Sequence, residues 1–272
     1  MVFNANELIL DTEDYNFTLF EHQGFGGKRK YIATPKKSGL PKLLVKHKGE
    51  FAPPCNGFVY GRLAQLLGTN VPNTYMMNLS INNADLFDST CVVGIEFIEG
   101  LTALNMDDIK SNESLKKQFI HCFILCGLFT QFEDSMQCAY LPGKAVIPLD
   151  YDDSFGLEYP TFNAALRGNE MDELIIKYQL ENAWRHNLDM YLNICIDVAS
   201  EQLEMPTDEV RKVFITVLQK FCNLTEEEIT SITNILSVFF SPLLAFYYEE
   251  YVHILQVKAK SYIEIINSLI MQ

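Results

Sequence analysis

Residues 129–156 read FTQFEDSMQCAYLPGKAVIPLDYDDSFG. Asp134 and Asp150 stand sixteen residues apart in it. Between them lie an apolar segment, a Gly-containing turn and a second apolar segment, which is the pattern of a hairpin over residues 136–157. Asp152 and Asp153 follow Asp150 at once. A carboxylate on each side of a hairpin suits phosphoryl transfer: one can orient an attacking hydroxyl while the other holds a magnesium ion.

The chain around this stretch changes texture. Up to residue 100 it reads mainly as strands: Asn16–Phe20, Arg29–Thr34, Leu43–His47, and the runs VPNTYMMNL and CVVGIEFI. One helix interrupts them, Gly57–Leu67, with Gly68 as its stop. Beyond residue 100 helical spacing takes over. Ser114–Gln131 is a strongly apolar helix, and further helices are expected near 170–178, 180–202, 207–222, 225–239 and 242–270. Thr225 and Glu228 form a capping box, Thr207 is a candidate N-cap, and Pro242 suits a first helical turn. The expected class is α+β, in two lobes: a small β-rich lobe over 1–100 and a larger, mostly helical lobe over 101–272. The acidic loops fall near the junction, where ligand sites favour the cleft.

Composition narrows the function. The chain has 272 residues and a formal net charge of −14, which argues against sequence-independent nucleic-acid binding. Residues 1–50 are the exception, with eight Lys or Arg against six Asp or Glu. That basic set can meet an anionic ligand or simply protect strand edges. The seven cysteines include no CxxC pair and do not read as a zinc site. Free thiols in a reducing compartment fit them. The five histidines show no ligand spacing, and His121 reads as a core residue. The N-terminus has no signal-peptide pattern, and the apolar run 235–248 falls short of the roughly twenty residues a membrane span needs. A cytoplasmic protein is expected. The aromatic run FFSPLLAFYYEEY reads as core or as a dimer face.

Other candidate site residues precede the hairpin. Gly24, Gly26 and Gly27 can let backbone approach phosphate, or can form a plain turn. Lys46 ends the run Leu-Leu-Val-Lys, where an ammonium can pair with phosphates or merely face solvent. GIEFIEG, residues 94–100, reads as a hinge whose backbone from Glu96 to Ile98 can meet an adenine edge, or as an ordinary edge strand.

In order and spacing, GGKRKYIA, LLVKHKG, NGFVYGRLAQLLGTNVP, GIEFIEG, FEDSMQCAYL and VIPLDYDDSF resemble the HipA-like kinase family over residues 26 to 155. The resemblance implies a protein-kinase-like fold and ATP with magnesium as cofactors. It implies Lys46 as the phosphate-binding lysine, Asp134 as the catalytic-loop aspartate and Asp150 as the metal-binding aspartate. Two positions depart from the family. Gly57 stands where a glutamate usually pairs with the lysine, and Ala139 where an asparagine usually supplies a second metal ligand. Gln137, Asp152 or Asp153 can supply the missing ligand, and Glu50 the missing partner. The resemblance therefore leaves three readings open. One is a kinase acting on a Ser or Thr hydroxyl of a protein. A second is a pseudokinase or regulatory module with a protein partner, of toxin–antitoxin or phage-defence type. Another nucleotide-dependent transfer, such as nucleotidylation, is a third.

Overall fold

The computed structural model describes residues 1–20, 30–46, 54–87, 92–130, 137–149, 154–157, 162–164, 167 and 170–271. The chain is α+β. Its first part builds a six-stranded sheet from β1 (Ile9–Asp11), β2 (Tyr15–Leu19), β3 (Lys30–Pro35), β4 (Leu43–Lys46), β5 (Thr74–Asn78) and β6 (Val93–Glu96). The strand order is β1-β5-β6-β4-β3-β2. Only β1–β5 is parallel; the other pairs are antiparallel. A short helix, α1 (Ala5–Leu8), precedes β1. Between β3 and β4 the run PKKSGLP turns at Gly39, whose φ of 91° a side chain would resist.

Both sheet faces are covered. Helix α2 (Cys55–Leu67) packs on β5 and β6 and ends at Gly68, in the left-handed conformation at φ 83°. On the opposite face Tyr15, Tyr31, Leu43, Val45, Met77 and Phe87 form a smaller apolar cluster. Neighbouring Met76 and Met77 point to opposite faces, as strand geometry requires, and both are buried.

The second part is helical apart from one ribbon. Helices α3 (Met106–Ser111) and α4 (Glu113–Phe129) are followed by β7 (Gln137–Leu141) and β8 (Ala145–Leu149). Then come α5 (Glu170–Arg185), α6 (Leu188–Leu203), α7 (Thr207–Cys222), α8 (Glu226–Phe239) and α9 (Pro242–Ile270). From Phe119 to Phe129, α4 is buried all round except at His121, which is half-buried. Such a helix belongs at a centre, and α3, α6, α7 and β8 surround it. Gly127 permits the close approach to α6: a Cβ there would lie 2.8 Å from Leu192 Cδ2 and 3.2 Å from Cys195 Sγ. One apolar core runs from Leu8 through α2 and α4 to Ile266. Among the described residues no helix is long and apolar enough to cross a membrane.

Several boundaries differ from the sequence reading. Helix α5 runs on through residue 179, and the break falls at His186 and Asn187, where the Asn187 side chain caps α6. Thr207 is the first helical residue, with Pro206 at the cap position. The short elements α1, β1 and α3 had no expectation at all. The capping box at Thr225 and Glu228 and the first-turn position of Pro242 are present. Strand β6 is interior, between β5 and β4, and is no edge.

Two predictions follow from burial. Gly127→Ala should lower unfolding free energy in urea. Overpacking at about 1–3 kcal/mol exceeds the helix-propensity gain of about 1 kcal/mol; unchanged stability would mean that Leu192 yields freely. The second concerns acid. Burial pushes the imidazoles of His121 and His186 below their ordinary range, and Lys220 and Lys258 push the same way. Folding then favours the neutral ring, so this contribution is complete above pH ~6.5 and is lost as pH falls. The urea midpoint should drop between pH 7 and 5, and His121→Gln with His186→Gln should flatten that drop. Glu113, Glu204 and Glu228, whose pKa values are lowered by hydrogen bonds, act only below about pH 4.5.

Candidate functional site

The ribbon between α4 and α5 organises the acidic stretch. Pro142 and Gly143 close it, with Gly143 at φ 66° and Lys144 N–H donating to Leu141 O at 2.9 Å. The register then sets Gln137 opposite Leu149. At the end of α4, Thr130 caps the helix and forms an antiparallel bridge with Ser154. Asp134, Asp150, Asp152 and Asp153 lie outside the described residues, in segments 131–136 and 150–153. The four residues that flank these segments in sequence form two pairs: Thr130 with Ser154, and Gln137 with Leu149. Ser154 is fully buried, and its Oγ has no hydrogen-bond partner among the described residues.

Residues 155–157 are held by side chains from three helices. Tyr247 Oη of α9 donates to Phe155 O at 2.8 Å, and Gln179 Nε2 of α5 donates to Gly156 O at 2.9 Å. Asn56 Nδ2 of α2 donates to Leu157 O at 3.3 Å. Phe155 N–H reaches Phe129 O at 2.8 Å. Phe155 has φ 63°, uncommon for a bulky residue. Its buried ring meets Phe129, Tyr248 and Tyr251 at centroid distances of 5.2, 5.3 and 5.9 Å. The aromatic run thus supplies core at Tyr247, Tyr248 and Tyr251, while Phe246 is exposed.

On the sheet side, Lys46 closes β4, with Val93 of β6 and Lys30 of β3 as its register partners. Gly24, Gly26, Gly27 and Glu50 lie outside the described residues. Glu96 closes β6. Its N–H donates to Asn73 O at 2.8 Å, and Phe97 N–H donates to Lys42 O at 2.8 Å, so both amides are taken within the protein. Ile98 follows, half-buried. The Glu96 carboxylate ends a relay: Arg62 Nη1 to Gln65 Oε1 (2.8 Å), Gln65 Nε2 to Asn73 Oδ1 (2.8 Å), and Asn73 Nδ2 to Glu96 Oε2 (2.6 Å). Burial pushes the Arg62 guanidinium down to about 10, against the opposing pull of Tyr75 and Glu96. The rings of Phe3, Phe58 and Tyr75 lie around it. Sequence reasoning missed this relay; the one signal available was an arginine inside an apolar helix.

Gly57 sits buried in the first turn of α2, and its neighbour Asn56 accepts a hydrogen bond from Tyr248 Oη at 2.6 Å. Ala139 is buried on β7, with a methyl group where a ligand oxygen was expected. Among the described residues, no group of three or more His, Cys, Asp or Glu side chains is gathered to hold a metal.

No protein-family model matches the chain, and no curated protein does. Among solved structures, the chain is similar to the Helicobacter pylori proinflammatory kinase CtkA. The identity is 13%, the coverage 97% of this chain and 98% of that one, and the TM-score 0.49. At that level of likeness, function rests on this chain's own residues.

The relay gives a direct test. Asn73→Ala strips a donor and an acceptor from half-buried partners and should cost about 0.5–1.5 kcal/mol in urea unfolding. Glu96→Gln keeps an acceptor oxygen and should cost less. Equal losses would show that charge, not hydrogen-bond geometry, holds the strand end.

Proposed function

We propose that the chain is a HipA-like, ATP- and magnesium-dependent kinase that transfers the γ-phosphoryl group to a Ser or Thr hydroxyl of a protein. The supporting observation is the double pairing of Thr130 with Ser154 and Gln137 with Leu149, the residues that flank both acidic segments in sequence. In this reading Asp134 orients the attacking hydroxyl and Asp150 holds magnesium. Gln137 and Asp153 supply further oxygens, and Lys46 pairs with phosphate. Gly24, Gly26 and Gly27 cover the phosphates, and backbone near Glu96 and Ile98 meets the adenine. The donor set suits magnesium, a hard cation that takes carboxylate and amide oxygens. Ser154, next in sequence after Asp153, carries a buried Oγ without a hydrogen-bond partner among the described residues. The sheet joins the ribbon through Thr102, whose N–H donates to Tyr140 O at 2.8 Å and whose carbonyl accepts from Tyr140 N–H at 2.9 Å.

A second reading is a kinase-fold regulatory module that binds nucleotide or a protein partner without turnover. Gly57 and Ala139 favour it. A buried methyl group at position 139 offers no metal ligand, and Gly57 offers no carboxylate to Lys46. Positioning supplies most of the catalysis in phosphoryl transfer, so such losses weigh on turnover more than on binding.

Labelled ATP with magnesium, supplied to the protein alone and with host lysate, separates the readings. The kinase reading expects labelled protein that disappears with Asp134→Asn and Asp150→Asn. Label that persists in Asp134→Asn overturns it. The regulatory reading expects no label but a thermal shift: ligand at a hundred times its Kd adds about 2.7 kcal/mol.

A further inference from the structure

We propose that the outer face of helix α5 is a self-association surface, on which two copies of the chain pair antiparallel as a weak, symmetric dimer. This goes beyond the kinase reading and does not depend on it; the face takes no part in the contacts described above.

The inner face of α5 is spent on the core: Ile176, Leu180 and Ala183 are buried. The outer face carries Glu173, Leu174, Lys177, Tyr178, Glu181, Trp184 and Arg185, all exposed. Steps of three and four residues keep them on one side of the helix. A solvated helix face is ordinarily polar, yet Leu174, Tyr178 and Trp184 are 59%, 62% and 49% exposed here. Three large apolar side chains gathered on one outer face mark a contact surface.

The charges among them say what covers it. Glu173, Lys177, Glu181 and Arg185 alternate in sign, four residues apart. That spacing can close ion pairs inside one helix, but among the described residues none of the four forms one. A second α5 laid antiparallel about Gln179 brings the order Arg, Glu, Lys, Glu against Glu, Lys, Glu, Arg. Every step then meets an opposite charge at the same height: Glu173 meets Arg185 of the second copy, and Lys177 meets Glu181. Leu174 arrives at the level of Trp184, which walls a cavity of about 290 Å³ together with Leu188 and Val257. A parallel pairing in register sets like charges together at every step. Symmetry about one residue is what a twofold interface demands, since residue i meets j and j meets i. An unrelated partner needs no such symmetry. A 16-residue helix is about 24 Å long, so one helix pair falls below the standard interface size and the dimer is of the weak, micromolar class.

Sedimentation velocity on the full chain, over about a hundredfold range of concentration around the micromolar, reads the mass. Trp184 is the chain's one tryptophan, so its fluorescence reports burial at this face. The wild type should approach twice the monomer mass as concentration rises, with emission shifted to the blue. Lys177→Glu with Arg185→Glu makes all four charged positions acidic; Glu173→Lys with Glu181→Lys makes them basic. Each double variant alone should associate about a hundredfold more weakly, because like charges then meet. Mixed in equal amounts, the two should recover the wild-type mass and emission, a rescue that misfolded chains cannot give. Leu174→Ala, at an exposed position, should weaken association about tenfold. A wild type that stays monomeric overturns the proposal. So does wild-type association in both double variants, or a mixture of folded variants that fails to recover it. If either double variant loses its helicity by circular dichroism, Leu174→Ala decides, and unchanged association there overturns the proposal.

Discussion

A peptide carbonyl buried away from water must find a donor, and in residues 155–157 no strand or helix provides one. The structure meets this constraint with side chains. A hydrogen bond between neutral groups contributes only about 0.5–1.5 kcal/mol net, while a buried acceptor left unpaired costs about 1–3 kcal/mol. The penalty for failure exceeds the gain from success, so these hydrogen bonds act chiefly by forbidding other arrangements. Three helices, α2, α5 and α9, must each deliver one side chain to adjacent residues, which limits how they lie relative to one another.

Helix α2 carries two such obligations. At its N-terminal end Asn56 joins Tyr248 and Leu157 in the helical part. Further along, Arg62 enters the relay that ends at Glu96 on the sheet. Arg62 is almost wholly buried without a carboxylate in direct contact; amide and carbonyl oxygens and three aromatic rings surround it. Desolvation outweighs the pull of Glu96, which is why its pKa falls. The same helix has Gly57 where the family resemblance calls for an acid. It is therefore anchored by polar contacts at two points, Asn56 and Arg62.

Much of the architecture was legible because its signals are local. The Thr225–Glu228 box satisfies amides within one turn, Pro242 gives up an amide proton that a first turn does not use, and Gly68 adopts a left-handed stop. The Pro142–Gly143 turn between two apolar runs announced the ribbon. Local pattern failed where the partner is remote. Strand β1 has three residues and exists through its parallel pairing with β5. The break after α5 was expected near residue 179, yet Gln179 is helical and spends its side chain on Gly156.

From the amino-acid order alone came the α+β class, the extents of the longer strands and helices, and the hairpin that follows α4. These depend on periods and turns within a few residues. Tertiary structure alone decided that Thr130 meets Ser154, that Arg62 leads to Glu96, and that Tyr247, Gln179 and Asn56 converge after the acidic segment. The last three contacts join residues 92, 23 and 101 positions apart. No local pattern encodes a meeting at that separation; it arises only when burial brings the helices together and the enclosed carbonyls demand donors.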